Sequence, residues 1–210
     1  MLVGHVAAAF VAKGLHPRLS LGTTVAAALL ADMLLFSFVL ADIEHVQFRT
    51  SPTAGLHFTG TDIAFSHGLA MSLFWSAALA AIYVWRRGDR RAAVLLAAVV
   101  ISHWVLDVLS HRPAGSAVHG LVPMMIIEGT IWACAVALYV SDSRSVNSAG
   151  RYVFWGGVAA LTYVWHDNAF GLPRGNPPQD APIEGLLLLL LAVAWAYWMN
   201  RAREMKQRGR

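Results

Sequence analysis

Apolar stretches separated by short polar or basic connections constrain this chain more than any other feature. A membrane-crossing helix needs about 20 apolar residues for a hydrocarbon core of about 30 Å, and fewer where neighbouring helices shield it. Seven segments qualify: Leu2 to Leu15, Leu21 to Ala41, Ile63 to Trp85, Ala92 to Ser110, Leu121 to Val140, Tyr152 to Trp165 and Ile183 to Met199. The expected fold is therefore all-α: a polytopic integral membrane protein of about seven transmembrane helices, forming a single helical domain over 1–200 with a basic tail at 201–210. A hydrophobic content of 57% with 13% charged residues excludes a soluble domain of 210 residues.

The net charge of +4 would point to nucleic acid in a soluble protein, but here the basic residues fall in short runs between apolar segments and act as topology signals, with no nucleic-acid partner expected. With the N-terminus outside and the C-terminus cytoplasmic, Lys13, Arg18, Arg86, Arg87, Arg90, Arg91, Arg144, Arg151 and the basic tail all face the cytoplasm, leaving Arg49, Arg112 and Arg174 outside. The first segment has Lys13 after its apolar run, the reverse of a secretory leader, and is expected to be a retained helix. Cys134, the single cysteine, excludes an intrachain disulfide and a thiolate cluster and is expected to be a small core residue.

The stretch Ser102 to Arg112 carries the chemistry. At about 100° per residue, His103, Asp107 and His111 project from one helix face, which is metal-ligand spacing. Such residues can serve as hydrogen-bonded glue between helices. Three on one face within hydrocarbon point to function, because a buried Asp costs on the order of 3 kcal/mol there. At about 1.5 Å per residue, the same threading puts His5, Asp32, His67, His103, Asp107 and Glu128 at a common depth, roughly 5 to 13 Å below the outer surface. Imidazole and carboxylate without thiolate suit a divalent metal, zinc first for hydrolysis. The expected ligands are His5, Asp32, His67, His103, Asp107 and His111, with Glu128 as general base or orienter and Arg112 as a fork for phosphate or carboxylate.

The connection 42–62, with Glu44, His45 and His57, is expected to be an ordered loop that solvates those residues freely. His119, His166, Asp167 and Glu184 are not assigned a role. Ser66-His67 and Ser102-His103 are adjacent on helices and point about 100° apart, which excludes a serine nucleophile paired with its neighbour as base.

Gly4-His5, Leu21-Gly22-Thr23, Asp32, Glu44-His45, Ser66-His67-Gly68, Ser102-His103-Trp104-x-x-Asp107 with His111-Arg112-Pro113, and Glu128 together resemble bacterial polytopic proteins related to the LexA-regulated inner-membrane family called membrane-bound metal-dependent hydrolases. The similarity covers about Met1 to Tyr139. It implies a multi-pass protein of the bacterial inner membrane, a metal ion and a lipid or amphiphilic phosphoester substrate on the outer side. Where that family carries Pro-Asp-x-Asp, this chain reads Ala31-Asp32-Met33-Leu34, and Ala64-Phe65 stand where a His-Arg pair precedes Ser-His. The rival expectations are a permease or ion-binding carrier, and a structural membrane protein whose buried polar groups specify packing. Oligomeric state does not follow from the sequence.

Overall fold

The computed structural model describes residues 2–50, 56–110, 121–170 and 180–206. Its helices are α1 (Leu2–Leu15), α2 (Leu21–Ala28), α3 (Leu30–Leu40), α4 (Ala64–His67), α5 (Leu69–Arg87), α6 (Arg90–Ser110), α7 (Leu121–Asp142), α8 (Ser148–Phe170) and α9 (Ala181–Ala202). Four of them, α5, α6, α7 and α9, are long and apolar enough to cross a membrane, and the bent pair α2 and α3 adds a fifth if counted as one span. Helix α1 is shorter, at 14 residues. The molecule is a mostly helical membrane protein.

Helix α1 is the hub. It is apolar all round, so every face seeks cover, and it packs against α2, α6, α7 and α8. Its Phe10 sits among the rings of Trp132, Tyr139, Phe154 and Trp195. The outer helices turn aliphatic and aromatic side chains outward, among them Leu73, Phe74 and Ile82 on α5 and Leu187, Leu190 and Leu191 on α9. Hydrocarbon, with no water to avoid, is the medium that suits such a surface. Cys134 lies on the exposed side of α7 and is not the core residue the sequence leads one to expect.

Aromatic rings of α9 lie against glycines of its neighbours, because a missing Cβ lets helices approach closely. A Cβ on Gly157 would overlap the Trp195 indole, whose Nε1 donates to the Val153 carbonyl at 3.1 Å. Gly157→Ala is expected to displace the indole and lower stability by about 1–3 kcal/mol, read as thermal unfolding in detergent.

The connection after α3 is a β-hairpin, not a loop: β1 (His45–Thr50) pairs antiparallel with β2 (Leu56–Asp62), Gln47 facing Thr59 and Thr50 facing Leu56. Helix α3 ends in an αL residue, Asp42 at φ 57°, and the Ile43 amide returns to the Phe38 carbonyl at 2.8 Å. That reversal delivers Glu44 back to the bundle. Two expected continuous helices are broken. The chain bends by 57° at Leu29 between α2 and α3, and extended backbone at Gly68 separates α4 from α5.

The helix ends sort into two groups. At one, Lys13 Nζ donates to Leu19 O at 2.7 Å and to Asn200 Oδ1 at 3.1 Å, His16 lies 3.3 Å from Asp89, and a short β3 (Ser143–Ser145) pairs with β4 (Arg203–Met205). This is the basic end. The other group joins the start of α1, the middle of α7 and the later turns of α8 through Glu128.

Candidate metal centre

A helix break positions the central histidine. Ala28 closes α2, so its carbonyl is one of those a helix end leaves without an intrahelical partner. His103, projecting from α6, takes it with Nδ1 at 2.8 Å. A carbonyl only accepts, so Nδ1 carries a proton, and in the neutral ring Nε2 is the atom left to ligate, the anchoring typical of a metal-bound imidazole. Nε2 is buried with no hydrogen-bond partner among the described residues.

Around that atom the structure gathers five of the six expected ligands. Asp107, one helical turn along α6, lies 3.3 Å from His103 Nε2 through Oδ2, and Asp32 lies 3.6 Å away through Oδ1. His67 Nε2 is 3.4 Å from Asp32 Oδ1 and 3.9 Å from Asp107 Oδ2. His5 Nε2 approaches the other Asp107 oxygen at 3.2 Å, and its ring stacks on His103 with centroids 3.6 Å apart. Two overlapping sets result, His5 with His103 and Asp107, and Asp32 with His67 and His103, the donor atoms of each within 4.8 Å of one another.

The spacing is compatible with ligation. Donor and acceptor in an N–H···O bond sit about 2.7–3.2 Å apart. A tetrahedral ion with bonds of about 2.0–2.1 Å separates neighbouring ligands by roughly 3.4 Å. Four of the five approaches, from 3.3 to 3.9 Å, exceed the hydrogen-bond range, and three of them lie within a few tenths of an ångström of that ligand spacing. The two carboxylates also supply the charge that a divalent cation offsets. Because His103 has only Nε2 to give, it can serve one ion, and Asp107, with an oxygen toward each set, is the residue able to bridge them.

One side of the cluster is open. His5 and His103 are 2% exposed, whereas His67, Asp32 and Asp107 are 14%, 22% and 25% exposed.

The neighbouring groups hold these ligands in place. Glu128 is buried, its Oε1 accepting the Gly4 amide at 3.1 Å and its Oε2 the Trp165 indole N–H at 2.8 Å. It thus anchors the first turn of α1 beside His5. Removing it in Glu128→Ala leaves two donors without their acceptor, and a loss of at least about 2 kcal/mol in thermal unfolding is expected with metal content retained.

Glu44 is buried, contrary to the solvated position expected of a loop residue, and its Oε1 accepts the Ser66 amide at 2.8 Å. Ser66 Oγ and His67 Nδ1 are 2.9 Å apart. This corrects the expectation that neighbours 100° apart cannot pair, because α4 is a single turn ending at His67 and its side chains are free of continuous-helix geometry. Ser66 itself is fully buried, so it orients the imidazole and is not placed to attack a substrate. The sequence marks Glu44 only through the Glu44-His45 pair of the resemblance and not its burial, which depends on the αL reversal at Asp42.

His45 is exposed beside Asp42, 3.3 Å away, and Glu184 opens α9. His57 lies on β2. His111, Arg112 and His119 fall outside the described residues. The chain matches no family model, no curated protein and no solved structure.

Proposed function

We propose that this chain is a divalent-metal-dependent hydrolase of the bacterial inner membrane, acting on a lipid or amphiphilic phosphoester at the face opposite its basic end. The observation that carries it is the His103 imidazole, anchored through Nδ1 on the Ala28 carbonyl with a bare, buried Nε2 directed at Asp32 and Asp107. Zinc suits the donor set. His103, His67 and Asp32 hold the ion, Asp107 completes or bridges the site, and His5 fixes Asp107. A metal bound there lowers the pKa of its water toward neutrality and polarises a phosphoryl oxygen. Where Asp107 does not ligate, its partly exposed carboxylate is suited to accept the proton of that water, while Arg112, four residues after Val108, follows the cluster in sequence as a fork for the phosphate.

The proposed topology is seven crossings, with α1, the pair α2 and α3, and α8 joining the four long apolar helices, the N-terminus outside and the C-terminus cytoplasmic. Support comes from the basic residues gathered at the end of the molecule opposite the histidine cluster. A carrier is favoured instead by one feature, the two helix breaks flanking the cluster, since discontinuous helices line the ion sites of many transporters.

Zinc-loaded protein incubated in mixed micelles with phosphatidylglycerol and phosphatidylethanolamine is expected to release a water-soluble phosphoester, and Asp32→Asn to release none. Absence of turnover by fully loaded protein on either lipid, together with zinc flux into proteoliposomes that is lost in Asp32→Asn, would overturn the hydrolase in favour of the carrier.

A further inference from the structure

We infer that the basic end binds the phosphate headgroup of an anionic phospholipid in a groove between α1 and α6, separate from the histidine cluster. A cavity of about 470 Å³ opens there, lined by Leu15, His16, Arg90, Arg91, Val94 and Leu95. That volume lies within the range of ligand sites.

The lining divides as an amphiphile does. Arg90 and Arg91 begin α6, are exposed, and make no hydrogen bond or ion pair with any described residue. The nearby acid does not neutralise them: Asp89 accepts the Ala92 amide through Oδ1 at 3.0 Å, and its Oδ2 lies 3.3 Å from His16. Two free guanidinium forks match the oxygens of a phosphodiester. Below them the wall is aliphatic, with Leu15 and Val94 exposed and Val11 exposed one turn further up α1.

A free anion would satisfy the arginines and leave that wall bare, whereas a lipid covers both with headgroup and acyl chain. Charge that served topology alone would put arginines at this end, but would not require them to line one cavity with Leu15, Val94 and Leu95. Anionic headgroups between membrane helices are held by basic pockets of this composition.

Native mass spectrometry of the detergent-purified full chain, mixed with dioleoylphosphatidylglycerol or dioleoylphosphatidylcholine, tests the site, with inorganic phosphate as the headgroup-only arm. Wild type is expected to retain phosphatidylglycerol about tenfold better than phosphatidylcholine, and to gain no thermal stability from phosphate. The preference is expected to vanish in Arg90→Gln/Arg91→Gln and to persist in Arg86→Gln/Arg87→Gln, which removes the same charge outside the cavity. Val94→Trp, at an exposed position and with charge unchanged, fills the groove and is expected to lose the preference even if the arginine variants do not fold. Equal loss in both arginine pairs, retention in Val94→Trp, or phosphate stabilising as well as the lipid would overturn the assignment. Zinc content measured on the same samples stays at the wild-type value, which separates this site from the histidine cluster.

Discussion

Replacing His103 with alanine is expected to abolish stoichiometric metal binding and to lower stability at the same time. The imidazole contributes the one nitrogen shared by both ligand sets, so its removal takes a ligand from either. Loss of a ligand exceeds the tenfold to hundredfold cost typical of an orienting partner, so affinity is expected to fall by more than about 100-fold. The stability effect has a separate origin. Without Nδ1 the Ala28 carbonyl, at the break between α2 and α3, loses its 2.8 Å partner, at about 1–3 kcal/mol. His5→Ala makes the comparison informative. His5 touches the cluster through Asp107 and by stacking on His103, so its loss is expected to weaken metal binding by about 10- to 100-fold without abolishing it. Metal analysis after dialysis and thermal unfolding read the two effects independently. Equal metal content in wild type and His103→Ala would contradict the assignment.

Chelation is expected to be the second large effect. An ion bound a thousandfold above its Kd stabilises the folded state by about 4 kcal/mol. Stripping it removes that and leaves Asp32 facing imidazoles across gaps longer than good hydrogen bonds, while Asp107 keeps His5 at 3.2 Å. EDTA is therefore expected to lower the unfolding temperature of wild type, and zinc to restore it. In Asp32→Asn/Asp107→Asn the same treatment is expected to change nothing, because the ion is already absent. The stripped variant is expected to be at least as stable as stripped wild type, since two partly buried charges have gone. An EDTA-induced drop of the same size in the double variant would trace the effect to some other metal site.

Much of this site is legible in the sequence because hydrocarbon makes polarity conspicuous. His5, Asp32, His67, His103 and Asp107 stand out as ionisable residues within apolar runs, and counting residues from the segment ends puts them at one depth, which the contacts among them match. What anchors them is not legible. The Ala28 carbonyl becomes available only because α2 stops there, and nothing in Ala26-Ala27-Ala28-Leu29-Leu30 announces a 57° bend. Glu44 belongs to a loop by its flanks and becomes buried through an αL reversal at Asp42, a residue type that tolerates that region more readily than most. The hairpin did leave a trace. His45-Val46-Gln47-Phe48-Arg49-Thr50 alternates polar and apolar at the strand period, but Pro52 and the glycines nearby read as loop.

Cys134 illustrates the opposite limit. Within an apolar run, hydropathy does not distinguish the side of a helix that meets lipid from the side that meets protein, because both are apolar. Packing decides it, and α7 turns Trp132, Ala135, Val136 and Tyr139 inward and Cys134 outward.

The most direct test of the central claim is X-ray absorption at the zinc edge on purified, zinc-reconstituted protein, in wild type and His103→Ala. A single ion held by imidazole and carboxylate predicts nitrogen and oxygen neighbours at about 2.0–2.1 Å with imidazole outer-shell scattering and no sulfur, a signal lost in the variant. Zinc bound with the same spectrum in both proteins, or no zinc in wild type, would contradict the proposed centre.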